Sequence, residues 1–168
     1  MSQYLTNTEE TEIRKLIDEV AKEWELFTDQ KETYHAGFYI DRLLYRIVED
    51  WKIPLIAFEI EKSVPDNERI RKDIMNIVFS RAPMGYIILP HARILKDRDV
   101  DERSTWPKWY KNKLFETFQV YVNPFLFYCE ICLVDADQFM NKRSLEKSIV
   151  YAKRSEVKEI LKKGRSNK

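Results

Sequence analysis

Residues 37–63 read GFYIDRLLYRIVEDWKIPLIAFEIEKS. The opening part, GFYIDRLLYRI over 37–47, is rich in aromatic and β-branched residues and predicts a strand. Glu49 and Asp50 supply a short polar turn, and IPLIAFEIEKS over 53–63 predicts a second strand. Its apolar run as far as Phe58 suits a central strand buried on both faces. Because a strand alternates faces, Leu55, Ala57, Glu59 and Glu61 point one way while Ile56, Phe58, Ile60 and Lys62 point the other. Glu59 and Glu61 are therefore neighbours on one face, about 6.5–7 Å apart along the strand. Two same-face carboxylates ending an apolar run are costly to bury unless a cation compensates them. If the strand carrying Asp41 pairs with this one, its carboxylate converges on the same spot. The competing reading pairs Asp41 with Arg42 or another neighbour and leaves both glutamates solvated at a strand end.

Before this hairpin, Thr8 to Thr28 predicts a helix. Thr8 and Thr11 are N-cap candidates, Glu9 and Glu10 suit a first turn, and Ile13, Leu16, Ile17, Val20 and Trp24 recur at helical spacing. After it, Pro65-Asp66-Asn67 marks a turn into a helix over Glu68–Arg81, striped by Ile70, Ile74, Ile77 and Val78. MGYIILP over 84–90 predicts a short strand. A polar stretch from His91 to Lys113 follows. FQVYV (118–122) and FLFYCEICLV (125–134) predict two strands joined around Asn123-Pro124, and Asn141 to Lys163 a last helix, broken near Ser155. This order predicts one α/β domain over 1–168: a central mixed sheet flanked by helices, with a C-terminal β-hairpin and helix.

With hydrophobic residues at 44 % and charged residues at 34 % of 168, the chain can build one core under a heavily charged surface. No run approaches the apolar length of a membrane span, and the start, MSQYLTNTEE, lacks the basic-then-apolar pattern of a signal peptide. The expected compartment is the cytoplasm. Net charge is +1, but residues 141–168 hold ten Lys or Arg against three Glu, so a basic tail follows an acidic body. That tail suits phosphate contacts, or is simply a solvated, lysine-rich helix. Trp106, Lys108, Trp109, Tyr110 and Lys111 interleave rings with cations, as surfaces that stack bases do, although such rings also pin loops to a domain. His35 and His91 flank predicted strands and read as ordinary surface or capping residues. Cys129 and Cys132 form a CxxC with no second pair and no His pair nearby, and residues three apart on a strand face opposite ways. Small buried core residues are therefore expected rather than a metal or redox pair. No Gly-rich phosphate loop, GxSxG elbow or HExxH motif is present, which leaves P-loop hydrolases, serine hydrolases and zincins without support.

An Asp on one strand, a buried strand ending in Glu-x-Glu, then a helix and a strand resembles the PD-(D/E)xK nuclease superfamily over about residues 30–90. The resemblance implies a restriction-endonuclease-like core in αβββαβ order and metal-dependent hydrolysis of DNA phosphodiester bonds. Asp41 would be the motif Asp and Glu59 the motif Glu, holding Mg²⁺ or Mn²⁺ together with Glu61. Hard cations of this kind take oxygen ligands, polarise a phosphate and lower the pKa of an attacking water. Glu61 falls where the family usually has Lys. Lys62, if a bulge turned it inward, or Lys72 on the next helix would then supply the missing cation, and Glu23 an additional acid from the first helix. Nucleases of this kind often pair so that each protomer cuts one strand, so a homodimer is among the assemblies implied. The rival expectation is a nuclease-fold module without catalysis that binds nucleic acid or a protein.

Overall fold

The computed structural model describes residues 5–29, 33–35, 38–90, 108–125, 129–142 and 149–151. The first helix, α1 (Asn7–Glu23), is capped by Thr6 and not by Thr8 or Thr11: Thr6 accepts from the Glu9 N–H, and the Glu9 side chain returns a bond to Thr6 N. It also ends earlier than its periodicity predicts. Glu25 adopts a left-handed φ of 56°, and the chain turns into the two-residue strand β1 (Phe27–Thr28).

Two short strands, β2 (Thr33–His35) and β3 (Phe38–Ile40), pair as a separate ribbon. The single strand expected over 37–47 is thus interrupted at Asp41, and β4 (Arg42–Val48) begins after it. Glu49 and Asp50, with φ of 48° and 67°, close a two-residue turn into β5 (Trp51–Ile60). Consecutive left-handed residues match the right-handed twist of a hairpin. The register Arg42↔Phe58 runs to Val48↔Trp51, with an irregularity at Leu44/Tyr45 opposite Pro54.

Helix α2 (Asn67–Phe79) is capped by Asp66 and leads to β6 (Met84–Leu89), which lies parallel to β5. Among the described residues the main sheet has six strands in the order β1-β4-β5-β6-β7-β8, mixed parallel and antiparallel. On one face Ile56, Phe58, Tyr86 and Val134 meet Ile13 and Ile17 of α1 and Phe139. On the other, Ala57, Ile87 and Leu133 meet Ile70, Ile74 and Ile77 of α2 and Phe118. The α/β class and the helix-flanked mixed sheet are as the sequence predicts.

The C-terminal third departs from it. FQVYV is the end of helix α3 (Lys108–Val122), because Leu114, Phe118 and Val122, four residues apart, are buried together. Asn123–Phe125 is a 3₁₀ turn, and the strand within 125–134 is β7 (Glu130–Asp135), parallel to β6. The expected hairpin of 118–122 with 125–134 does not form. A helix does not start at Asn141 either: α4 (Ala136–Lys142) ends there, and β8 (Ile149–Tyr151) pairs antiparallel with β7 inside the expected helix. The rest of that helix and most of the basic tail lie outside the described residues. Cys129 and Cys132 form no disulfide and are buried on opposite faces of the sheet, as small core residues would be. Burial beside Glu130 pushes the Cys129 thiol up to about 12. Among the described residues no helix is long and apolar enough to cross a membrane.

Gly85 lets α2 approach the sheet: a Cβ there would stand 2.2 Å from Ile77 Cγ2. Gly85→Ala is expected to destabilise the fold by about 1–3 kcal/mol through overpacking, read as a lower urea midpoint. An unchanged midpoint would show that Ile77 yields without cost.

Candidate active site

The site lies where β4 begins and β5 ends. Asp41 sits one residue before β4, and continuing the register Arg42↔Phe58 sets it across from Glu59. There its carboxylate replaces a backbone rung, Oδ2 accepting from the Ile60 N–H at 2.8 Å. Glu61, just past β5, keeps its place through its N–H, which donates to Ile88 O at 2.9 Å. Both glutamates are buried. The reading that leaves them solvated does not hold; Arg42 reaches only the backbone of Asp41, NH1 donating to Asp41 O at 3.2 Å with Nε 3.5 Å from Asp18, and the Asp41 carboxylate pairs with Arg14.

Helix α2 supplies the roof. Its buried stripe of Ile70, Ile74 and Ile77 is interleaved with Asp73 and Asn76, which are also buried. Asn76 Nδ2 donates to Glu59 Oε1 at 2.9 Å. One turn before Asp73, Arg69 Nε donates to Glu61 Oε1 at 2.9 Å, with Oε2 at 2.7 Å, and NH1 reaches Ser63 Oγ at 3.3 Å. Helix α1 closes the flank. Arg14 donates to Asp41 Oδ1 at 3.0 Å and to Asp41 O at 2.9 Å, and it is braced by Glu10 at 2.8 Å.

Burial raises Glu59 to about 10, helped by the nearby charges of Asp41 and Asp73 and opposed by the Asn76 amide. Burial and the adjoining Glu61 raise Asp73 to about 9. Glu61 is raised by burial as well, against the pull of Arg69. The charge of Asp41 bears on Glu59, Glu61 and Asp73, so the four acids disfavour one another's ionised forms. Buried oxygens remain without a donor, namely Glu61 Oε2, which has charge beside it but no aligned N–H, and Asp73 Oδ2.

The expected ligands Asp41, Glu59 and Glu61 therefore come to one place, with Asp73 added. Among the described residues, however, no three Asp, Glu, His or Cys side chains are gathered so as to hold a metal ion as they stand. Lys62 is not turned inward: it is exposed, and its Nζ lies 2.6 Å from Glu10 Oε2. Between them Lys62 and Arg14 outweigh the burial of Glu10 and lower its pKa. Lys72 is exposed, while its neighbour Asp73 points inward. Glu23 ends α1, thirteen residues or about 20 Å along the helix from Glu10, so the acid that α1 brings is Glu10. His35 belongs to β2; His91 and Trp106 lie outside the described residues, and Lys108 to Lys111 open α3.

Arg14, Arg69 and Glu10 were not among the predicted site residues. Glu10 and Arg14 are four apart on one helix, a signal of pairing but not of place. Polar Asp73 and Asn76 inside the apolar stripe of α2 were the stronger signal. Compared with protein-family models, with curated proteins and with solved structures, the chain matches none.

Because Glu59 and Asp73 hold protons that their unfolded counterparts lose, the folded chain binds more protons than the unfolded one between about pH 5 and 9. Stability then falls as pH rises through that window. Glu59→Gln keeps an acceptor for Asn76 and a side chain that stays neutral at every pH. It is expected to match wild type near pH 5 and exceed it near pH 9, by on the order of 1–2 kcal/mol or 2–8 °C in Tm. Parallel melting curves for the two proteins across this range would contradict the raised pKa of Glu59.

Proposed function

We propose that the chain is a metal-dependent nuclease of restriction-endonuclease-like type that hydrolyses DNA phosphodiester bonds, with Mg²⁺ or Mn²⁺ held by Asp41, Glu59 and Glu61. The observation that carries this reading is the gathering of three buried carboxyl groups, Glu59, Glu61 and Asp73, beside the partly buried Asp41, with two pKa values near 9–10 and two oxygens without a donor. Such a cluster is costly without a cation, and its donor set is all oxygen, which suits a hard divalent ion. The order of elements, with an antiparallel β4–β5 hairpin followed by α2 and a parallel β6, is also compatible with that fold.

A bound ion would polarise the scissile phosphate and lower the pKa of the attacking water. The chain's own groups have other tasks. Asp41 is held by the Ile60 N–H and Arg14, so it is already oriented. Glu59 would have to give up its proton to hold the ion, and Asn76 would steady the ionised carboxylate. Arg69 stands against Glu61, where the superfamily usually has Lys, and is the cation nearest that position on α2.

A second reading is favoured by one specific observation: Arg14, Arg69 and Asn76 already compensate the cluster. The same residues would then serve a nuclease-fold module that binds DNA without cutting it.

Incubating supercoiled plasmid and labelled single-stranded or branched DNA with Mg²⁺, Mn²⁺ or EDTA separates the two. Metal-dependent nicking is expected in the wild type and a loss of about 100-fold or more in Glu59→Gln, the scale of several kcal/mol. Salt-sensitive DNA binding without cleavage supports the second reading. Neither binding nor cleavage rejects both.

A further inference from the structure

The β4–β5 hairpin carries large apolar side chains that nothing described covers. Trp51 is 74 % exposed, and Ile47, Val48, Ile53 and the adjoining Phe27 are each 43–53 % exposed. They are concentrated on one ribbon: Val48 and Trp51 are cross-strand partners, and Ile53 follows opposite Arg46. Monomeric proteins rarely leave apolar surface so concentrated in water.

The edge of this ribbon is open as well. β1 pairs with β4 only at Leu44 and Tyr45, so among the described residues Arg46, Ile47 and Val48 have no partner on their outer side. An unpaired, flat apolar edge is a template for another strand.

We propose that this hairpin is the contact by which two copies of the chain associate, β4 edge to β4 edge, about a two-fold axis near Ile47. Such an interface must be self-complementary, since the same patch meets itself. The sequence around Ile47 meets that condition. Antiparallel pairing centred there sets Arg46 opposite the second copy's Val48, one step from its Glu49-Asp50 turn. The basic residue of each copy thus lies near the acidic turn of the other, twice over by symmetry. Val48, Trp51 and Ile53 of the two copies are then brought side by side on one face of the joined sheet. The acidic turn also decides against the alternatives, because Glu49 and Asp50 at the tip repel a phosphate surface, whether nucleic acid or anionic lipid. The neighbouring cation Lys52 is engaged by Asp29 at 2.5 Å and by the Tyr45 ring at 4.1 Å.

Sedimentation equilibrium of the full chain from about 1 to several hundred micromolar tests this. A concentration-dependent dimer is expected, with Trp51→Glu weakening association by at least about 10-fold, the scale of a buried anchor residue. As a second measurement, Ile47→Cys should form a disulfide-linked dimer under mild oxidation, while Thr11→Cys on the exposed face of α1 should not. Both native cysteines are buried, which keeps that background low. A monomer at every concentration, as when another segment of the same chain covers the ribbon, overturns the proposal. So does a dimer that Trp51→Glu leaves intact.

Discussion

Burying two glutamates at the end of an apolar strand governs the arrangement around them. β5 has its apolar residues on both faces because α1 covers one side of the sheet and α2 the other. Glu59 and Glu61 extend that strand into the interior, where an ionised carboxylate without partners is prohibitively unstable. The fold answers in three ways at once: protons are retained, Asn76 and Arg69 reach down from α2, and Asp41 leaves the strand line to meet Glu59.

This solution links distant parts of the chain. Arg14 on α1 grips both the side chain and the backbone of Asp41, and Asp41 in turn satisfies the Ile60 N–H. The start of the chain is fastened to the same corner by Leu5 N, which donates to Lys62 O. Moving α1 or α2 would therefore expose an unpaired buried charge, so the polar corner specifies where both helices dock even if apolar packing supplies most of the stability.

At the far end of the same hairpin the logic reverses. The site end of β4–β5 is polar and buried, while the turn end is apolar and exposed, with Trp51 the most exposed of its large side chains. One ribbon thus carries a buried polar cluster at one end and an uncovered apolar surface at the other. The two ends are joined by a ladder from Arg42↔Phe58 to Val48↔Trp51 whose register shifts once, between Leu44 and Tyr45.

The sequence by itself determined the hairpin, the first two helices and β6, because each has a strong period or a run of one kind bounded by turn residues. It also put Glu59 and Glu61 on one face at the end of their strand, since alternation along a strand is a local property, whereas the meeting of Asp41 with them depended on β4 pairing with β5. FQVYV misled because its aromatic and β-branched residues favour strands in isolation, whereas Leu114, Phe118 and Val122 bury one helical face against the sheet. Only the tertiary structure decided which cations and amides meet the acids. Arg14, Arg69 and Asn76 lie from 17 to 27 residues away from or only eight residues past their partners, on helices whose docking depends on the whole core. Local periodicity reports which side of an element is apolar; it carries no information about which polar residue will stand opposite once two elements pack.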